Sequence, residues 1–229
     1  MIAVVSPHLD DGALGCGARL AAERGSVVIT VLAAGPASWE TVTPWDEACG
    51  FSAGDDVIAA RRAEDLEALG LLGATPVWLD FQDAQYGPPP SGQALFEALE
   101  ATLAALPAGA VFLPLGLHHS DHVLVSEAAL SVARAARRRA DPAAAQRTFH
   151  LYEDAVYRRI PGLTEGALDR TRARGFHVSP EPFTAEATCL EQKRRAVSRY
   201  RSQLRGLTAG GRAGYDDAFE PERYWRLSP

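Results

Sequence analysis

Residues 2–12 read IAVVSPHLDDG, and this stretch decides the architecture. Ile2 to Ser6 is a β-branched, uncharged run, the pattern of a parallel strand buried on both faces. It stops at a proline, and a histidine and two aspartates follow before an Ala- and Leu-rich segment over 12–24 that ends at Gly25. That segment predicts a helix closed by a C-terminal glycine. In an open α/β sheet, ligands bind beyond the carboxyl ends of the strands. The His8-Leu9-Asp10-Asp11 run therefore lies where a site is expected.

The same alternation continues along the chain. A second buried strand is predicted over 27–32, a helix over 56–72, a third strand over 76–81 and a helix over 93–106. A fourth strand over 110–114 and a long helix over 119–139 follow, with a fifth strand over 148–152. This predicts an α/β fold: a Rossmann-like, mostly parallel sheet with helices on both faces. The last third is less regular. A helix is predicted over 184–204, and residues 176–178 and 224–227 read as short edge strands or extended tails. There is no repeat, low-complexity linker or evident boundary, so residues 1–229 are expected to form one domain. Residues 33–55 carry Trp39 and Trp45 without any period. The segment is long for an idle connection, which places it near a site. Its tryptophans either stack on a substrate or pack into the core.

Composition narrows the function classes. The 229 residues contain 23 basic and 29 acidic side chains, a net charge of −6. With no basic stripe, nucleic acid is not an expected partner. The arginines at 137–139 fall at a helix end, where cations complement the dipole. Lys193 is the only lysine, a trait of codon usage rather than of function. The three cysteines are widely spaced and form no CxxC, so neither a disulfide framework nor a thiolate zinc site is expected. No signal-peptide pattern and no membrane-length apolar run is evident. These features are those of a soluble, cytoplasmic protein without a membrane partner.

Histidine is the informative residue. Of six, four (His8, His118, His119 and His122) fall in two short runs. The second run, His118-His119-Ser120-Asp121-His122, follows the fourth strand and opens a helix. If strands one and four are neighbours, the two runs face each other across the sheet edge. Imidazole and carboxylate together suit Zn²⁺, and other divalent metals accept the same donors. Two histidines and a carboxylate would hold the ion. A second carboxylate would act as general base, and a further histidine would stabilise an oxyanion. Each residue also has a plainer reading. Asp10 and Asp11 suit the start of one helix, and Ser120 and Asp121 the start of another.

These runs resemble a known family. His8-Leu9-Asp10-Asp11 is similar to the His-Pro-Asp-Asp motif of the PIG-L/LmbE-like zinc-dependent N-deacetylases, and His119-Ser120-Asp121-His122 to their His-x-Asp-His motif. Arg61-Arg62-Ala63-Glu64 with Leu72-Gly73, Tyr152-Glu153-Asp154, and KRRAVSRYRSQ over 193–203 resemble further signatures, so the likeness spans residues 1 to about 204. The resemblance implies His8, Asp11 and His122 as zinc ligands and Asp10 as the base that later protonates the leaving amine. It implies His119 as oxyanion stabiliser, oriented and kept charged by Asp121, and Arg61 as a substrate contact. Asp83 is a substrate-side candidate whose alternative is a turn carboxylate. Leu9 stands in place of the usual proline, Gly12 where many members are acidic, and Leu117 where some carry a tyrosine. The implied reaction removes an N-acyl group, acetyl first of all, from an amino sugar or glycoconjugate, including conjugates of secondary metabolism. The resemblance also implies self-association without fixing a stoichiometry. Two other readings remain at this point: a non-catalytic sugar- or small-molecule-binding module with an inherited metal site, and a nucleotide-binding protein using Gly15-Cys16-Gly17. The second lacks GxGxxG spacing, and Asp10 and Asp11 would repel a pyrophosphate.

Overall fold

The computed structural model describes residues 1–138 and 146–228. Five strands, β1 (Ile2–Ser6), β2 (Ser26–Thr30), β3 (Ala74–Trp78), β4 (Ala110–Pro114) and β5 (Thr148–Tyr152), form the parallel part of one seven-stranded sheet. Its order is β3-β2-β1-β4-β5-β7-β6, in which β6 (His177–Glu181) and β7 (Tyr224–Ser228) are antiparallel additions. Strand β1 lies centrally between β2 and β4. Val4 pairs with Val28 on one side and Phe112 on the other, so the expected neighbourhood of strands one and four holds. The chain order around β1 reverses there, which opens a crevice at the carboxyl edge of the sheet.

Alternating β1 side chains feed two cores. Ala3 and Val5 join the cluster under helices α4 (Gly92–Ala104), α5 (Ser120–Arg138) and α6 (Leu163–Ala173). Ile2 and Val4 join the other face, under α1 (Asp11–Ala22), α3 (Val57–Leu72) and α7 (Ala187–Val197). A strand buried on both faces needs no polar alternation, which is why Ile2 to Val5 are all apolar. Among the described residues, no helix is long and apolar enough to cross a membrane.

The glycines of α1 serve packing. A Cβ at Gly15 would stand 2.7 Å from the Tyr152 ring, and one at Gly17 would stand 2.7 Å from Lys193 Cγ. Gly15-Cys16-Gly17 is thus a contact surface inside a helix, not a phosphate loop. Lys193 itself is buried against Glu222 at 2.7 Å, and Glu222 also accepts from the backbone N–H groups of Ala18 and Arg19. The Tyr152 ring cannot retreat, because its hydroxyl donates to the Val5 carbonyl at 3.0 Å. Gly15→Ala is therefore expected to cost about 1–3 kcal/mol through overpacking, read as a lower urea midpoint with an unchanged slope.

Several expected boundaries are corrected. Residues 33–55 contain a short helix, α2 (Pro44–Cys49), capped by Thr43 Oγ1, which accepts from the Asp46 N–H. The Thr-Pro start was its sequence signal. The helix expected over 184–204 is two helices, α7 and α8 (Arg201–Thr208). Buried side chains of α3 impose the break. Glu64 accepts from both the N–H and the hydroxyl of Ser202, and Asp65 accepts from the Tyr200 hydroxyl. Helix α6 was unforeseen, although Leu163, Ala167, Leu168 and Thr171 recur at helical spacing. Strand β7 is internal rather than an edge or a tail. The third strand begins at Ala74 rather than at 76. It keeps Pro76 because it lies at the sheet edge. Of the 137–139 arginine run, Arg139 lies outside the described residues.

Candidate active site

Ser6 ends β1 and shapes the loop after it. Its hydroxyl donates to the His8 carbonyl at 2.6 Å and accepts from the Gly12 N–H at 2.8 Å. Gly12 has a packing reason to lack a side chain: a Cβ there would lie 2.9 Å from Val28 Cγ1. Asp10 occupies the N-cap position of α1 but makes no side-chain capping bond. Its carboxyl is instead buried and lines a cavity of about 240 Å³. Asp11, in the first turn of α1, accepts from the His8 N–H at 2.9 Å. Capping accounts for neither aspartate side chain.

The second run arrives from the end of β4. Gly116 and His118 both adopt positive φ, 78° and 57°, and turn the chain into α5. His118 is exposed, and its ring rests beside Tyr157. His122 points inward, with Nε2 3.2 Å from Asp11 Oδ2. His8 Nδ1 lies 3.2 Å from that same oxygen. Donor atoms of His8, Asp11 and His122 all fall within 4.8 Å of one another.

This donor set fits a divalent cation. Two imidazoles and one carboxylate from two loops form the three-ligand shell of a catalytic site. The far nitrogens fit as well. His122 Nδ1 meets Asp154 Oδ1 at 2.5 Å, and His8 Nε2 meets Asp121 Oδ2 at 3.2 Å. Carboxylates behind both rings orient them and raise their basicity, as in metal-binding histidines generally.

Charge tells the same story. Burial alone would lower both imidazole pKa values. For His8 the bonds from Asp11 and Asp121 outweigh it and hold the pKa well above the usual range. For His122, Asp11 and Asp154 outweigh it and raise the value to about 9. Asp11 is buried too, yet His122 and His8 hold its carboxyl well below the ordinary carboxylate range. The carboxylates thus favour positive charge at this point of the cavity. Asp10 goes the other way: burial, and then the neighbouring charge of Asp11, push it up to about 7. That value suits a group that takes and returns a proton near neutrality.

His119 and Asp121 depart from expectation. The His119 side chain lines the cavity and is 41% exposed, and its Nδ1 accepts from the Asp121 N–H at 3.3 Å. Burial, with positive charge on His8 and His122, lowers its pKa. The Asp121 carboxylate stands 3.9 Å from His119 Nδ1 and lies closer to His8. The expected carboxylate–imidazole bond that would keep His119 charged is not made. Asp121 also accepts from the Ala84 N–H and so ties the loop after β3 to the site. Asp83 lines the cavity 3.7 Å from His8 Nε2. It is also a turn carboxylate, accepting from the Gln85 N–H and side-chain amide.

Arg61 borders the cavity, but most of its guanidinium is committed. It donates to Asp46 at 2.8 Å and reaches Cys49 Sγ and the Tyr86 hydroxyl at 3.4 Å. The Tyr86 hydroxyl in turn donates to Asp46 at 2.9 Å. Arg61 therefore pins α2 and Tyr86 as one wall. Arg61→Lys, which keeps charge but loses the fork, is expected to loosen that wall. Amide exchange over residues 43–50 should quicken, with the geometry of His8, Asp11 and His122 undisturbed. The tryptophans divide: Trp39 packs edge-on against Tyr86, whereas Trp45 lines the cavity with Leu207, Ile58 and Val156. Leu117 is wholly buried in the core, so no side chain from that position reaches the cavity.

Residues 3–133 match the family model described as GlcNAc-PI de-N-acetylase, PIG-L. The chain belongs to that family. Among solved structures, this PIG-L family member is similar to the A40926 pseudoaglycone deacetylase Dbv21. The two are 25% identical over 99% of this chain and 96% of that one, with a TM-score of 0.75. The zinc-inhibited form of teicoplanin deacetylase Orf2 is 21% identical, over 99% and 97% of the two chains, with a TM-score of 0.77. The N,N'-diacetylchitobiose deacetylase from Pyrococcus horikoshii is 20% identical, over 88% and 70%, with a TM-score of 0.52. These last two likenesses establish a common fold. None of the curated proteins matches this chain.

Asp154 and Tyr157 were given no role by sequence reasoning. Asp154 accepts from the Gly116 and Leu117 N–H groups as well as facing His122. Tyr157 packs edge-on to the His122 ring, at 5.2 Å between centroids. The only sequence signal for either was the Tyr152-Glu153-Asp154 signature. The pairing of Asp154 with His122 joins residues 32 apart in the chain and is set by the β4–β5 pairing.

Proposed function

We propose that this PIG-L family member is a zinc-dependent N-deacylase acting on an acetylated amino sugar carried by a larger small molecule. One observation carries the reading: a buried, uncapped Asp10 with its pKa raised to about 7 stands beside the His8, Asp11 and His122 donors in one cavity. His8, Asp11 and His122 would hold the ion. When bound, zinc supplies Lewis acidity toward a carbonyl oxygen and acidifies a water.

The remaining steps belong to side chains. Asp10 takes a proton from the attacking water and later returns it to the departing amine. With Nδ1 of His119 accepting from the Asp121 N–H, the ring proton sits on Nε2, from which a neutral imidazole donates to the acyl oxygen as charge develops. Asp121 and Asp154 hold the rings of His8 and His122. Asp83, Gln85, Arg61 and Trp45 line the same cavity and offer polar and flat surfaces for a sugar.

Similarity to Dbv21, whose substrate is a pseudoaglycone, and to the teicoplanin and diacetylchitobiose enzymes supports an amino-sugar substrate, with a secondary metabolite as its carrier. The test is acetate release by the zinc-loaded protein from N-acetylglucosamine conjugates of increasing aglycone size. Turnover that improves with a bulky aglycone is expected. Tight binding of the conjugates with no acetate released would support a binding module and overturn the enzymatic reading.

A further inference from the structure

Two glutamines line the cavity, and their carboxamides are differently engaged. Gln85 is satisfied at both ends: Oε1 accepts from the Thr43 hydroxyl at 2.6 Å, and Nε2 donates to Asp83 at 3.0 Å. Gln203, in α8, is only 5% exposed, yet among the described residues its carboxamide has no hydrogen-bond partner. Buried polar groups are nearly always paired. An unpaired amide at a cavity wall marks a place that a ligand completes.

The backbone around Gln203 is held in advance. Glu64 of α3 accepts from the N–H and the hydroxyl of Ser202, and Asp65 accepts from the Tyr200 hydroxyl. Arg61, also on α3, fixes α2 through Asp46. One helix thus positions both α8 and α2. These two meet closely, since a Cβ at Gly206 would stand 3.0 Å from Trp45 Cη2. Gln203 and Leu207 are one helical turn apart on α8 and so share a face, and both line the cavity with Trp45. An aromatic ring, an aliphatic side chain and an unspent carboxamide are therefore presented from one braced corner.

That combination suits a sugar. The ring stacks on a C–H face, and the carboxamide answers a hydroxyl at the rim, because each of those two groups both donates and accepts. We propose that Gln203 binds one ring hydroxyl of the amino sugar and so decides which sugars the site accepts. A sugar that lacks this hydroxyl leaves the buried amide unpaired and is penalised for it. The choice of a sugar rests on the hydrolase reading above; the contact itself is read without turnover.

The probe is the phenyl glycoside of N-acetylglucosamine, with its monodeoxy analogues that each lack one ring hydroxyl. Binding to the chelator-treated full chain is followed by heteronuclear NMR. The side-chain amide signal of Gln203 is identified by its loss in Gln203→Leu. That signal should move as the parent glycoside binds, and Gln203→Leu should bind the parent about tenfold more weakly. One deoxy analogue should bind the wild type as weakly as the parent binds the variant, and leucine should cost that analogue nothing further. In the zinc-loaded protein the loss should fall on KM rather than on kcat. The deoxy series on the wild type needs no variant, so it decides the matter even where leucine disturbs the fold. A Gln203 signal that stays still, deoxy analogues that all bind like the parent, or undiminished binding by Gln203→Leu overturns the contact and leaves the hydrolase reading standing. Binding with the expected Gln203 signature but no acetate released by the zinc-loaded protein sinks the hydrolase reading and sustains the contact. A wild type that binds no glycoside overturns the contact, and acetate release then decides the hydrolase reading alone.

Discussion

Asp10→Asn is expected to raise the stability of the metal-free protein while lowering turnover by about 10²–10⁴-fold. The two effects have one cause. Burial, reinforced by the charge of Asp11, lifts the Asp10 carboxyl from 3.8 to about 7. Between those values the folded protein retains a proton that the unfolded chain has released. Asp10 therefore erodes stability as pH rises from about 4 to about 7, and the cost is complete above that range. A shift of this size corresponds to roughly 4 kcal/mol. Asparagine carries no charge, so its advantage is absent near pH 4 and greatest above pH 7. Thermal unfolding of the metal-free pair across this range provides the check. A variant less stable than wild type at pH 8 would contradict the electrostatic account. The same titration governs catalysis in the opposite sense, because a base must be ionised. The acidic limb of the kcat/KM profile is expected to belong to Asp10, at a value drawn below 7 by the bound cation. The residual activity of Asp10→Asn should lack it.

The second large effect concerns Asp154. Its carboxylate faces His122 at 2.5 Å and accepts from two backbone N–H groups in the turn after β4. Removing it in Asp154→Ala strands those donors in a buried setting and frees the ring. A stability loss of about 3–5 kcal/mol is expected. Zinc affinity should fall about 10–100-fold, because the ring loses the partner that orients it. Asp154→Asn separates the two effects, since an amide oxygen still accepts from the turn while the negative charge behind the imidazole is gone. Urea unfolding and competition with a chromophoric chelator measure them independently. A folded variant with unchanged zinc affinity would show that Asp154 supports the turn alone.

What could be read ahead of the structure follows from the range of each interaction. The β1 loop was legible because its signals are local: an apolar run, a proline, a histidine and two aspartates within eleven residues. The facing of its motif by His119 and His122 needed only that β1 and β4 pair, as they do. Helix α2 was legible in principle from Thr43 and Pro44, yet its six residues carry no period to detect. The break between α7 and α8 was not, because Glu64 and Asp65 on a distant helix impose it on a sequence that would otherwise run on helically. Residues 176–178 and 224–227 read as short edge strands or tails, but their antiparallel pairing was not legible, since short strands do not encode their partners.

The site divides along the same line. His8, Asp10, Asp11, Arg61, Asp83, His119 and His122, all singled out in the sequence, line one cavity. Their partners were harder to foresee. Asp121 sits two residues from His119 but turns its carboxylate to His8, which is 113 residues away. Arg61 lies at the cavity wall, yet it is spent on Asp46 from the irregular 33–55 segment. In both cases side-chain direction, set by helix start and burial, decided between neighbours that spacing left equivalent.

The most direct test is an anomalous difference map collected at the zinc edge from crystals equilibrated with one equivalent of metal. A single strong peak bonded to His8, Asp11 and His122, with the Asp10 carboxyl beside it and outside bonding distance, is the predicted result. A peak that includes Asp10 among its ligands, or that lies away from His8 and His122, would contradict the assignment of ligands and base alike.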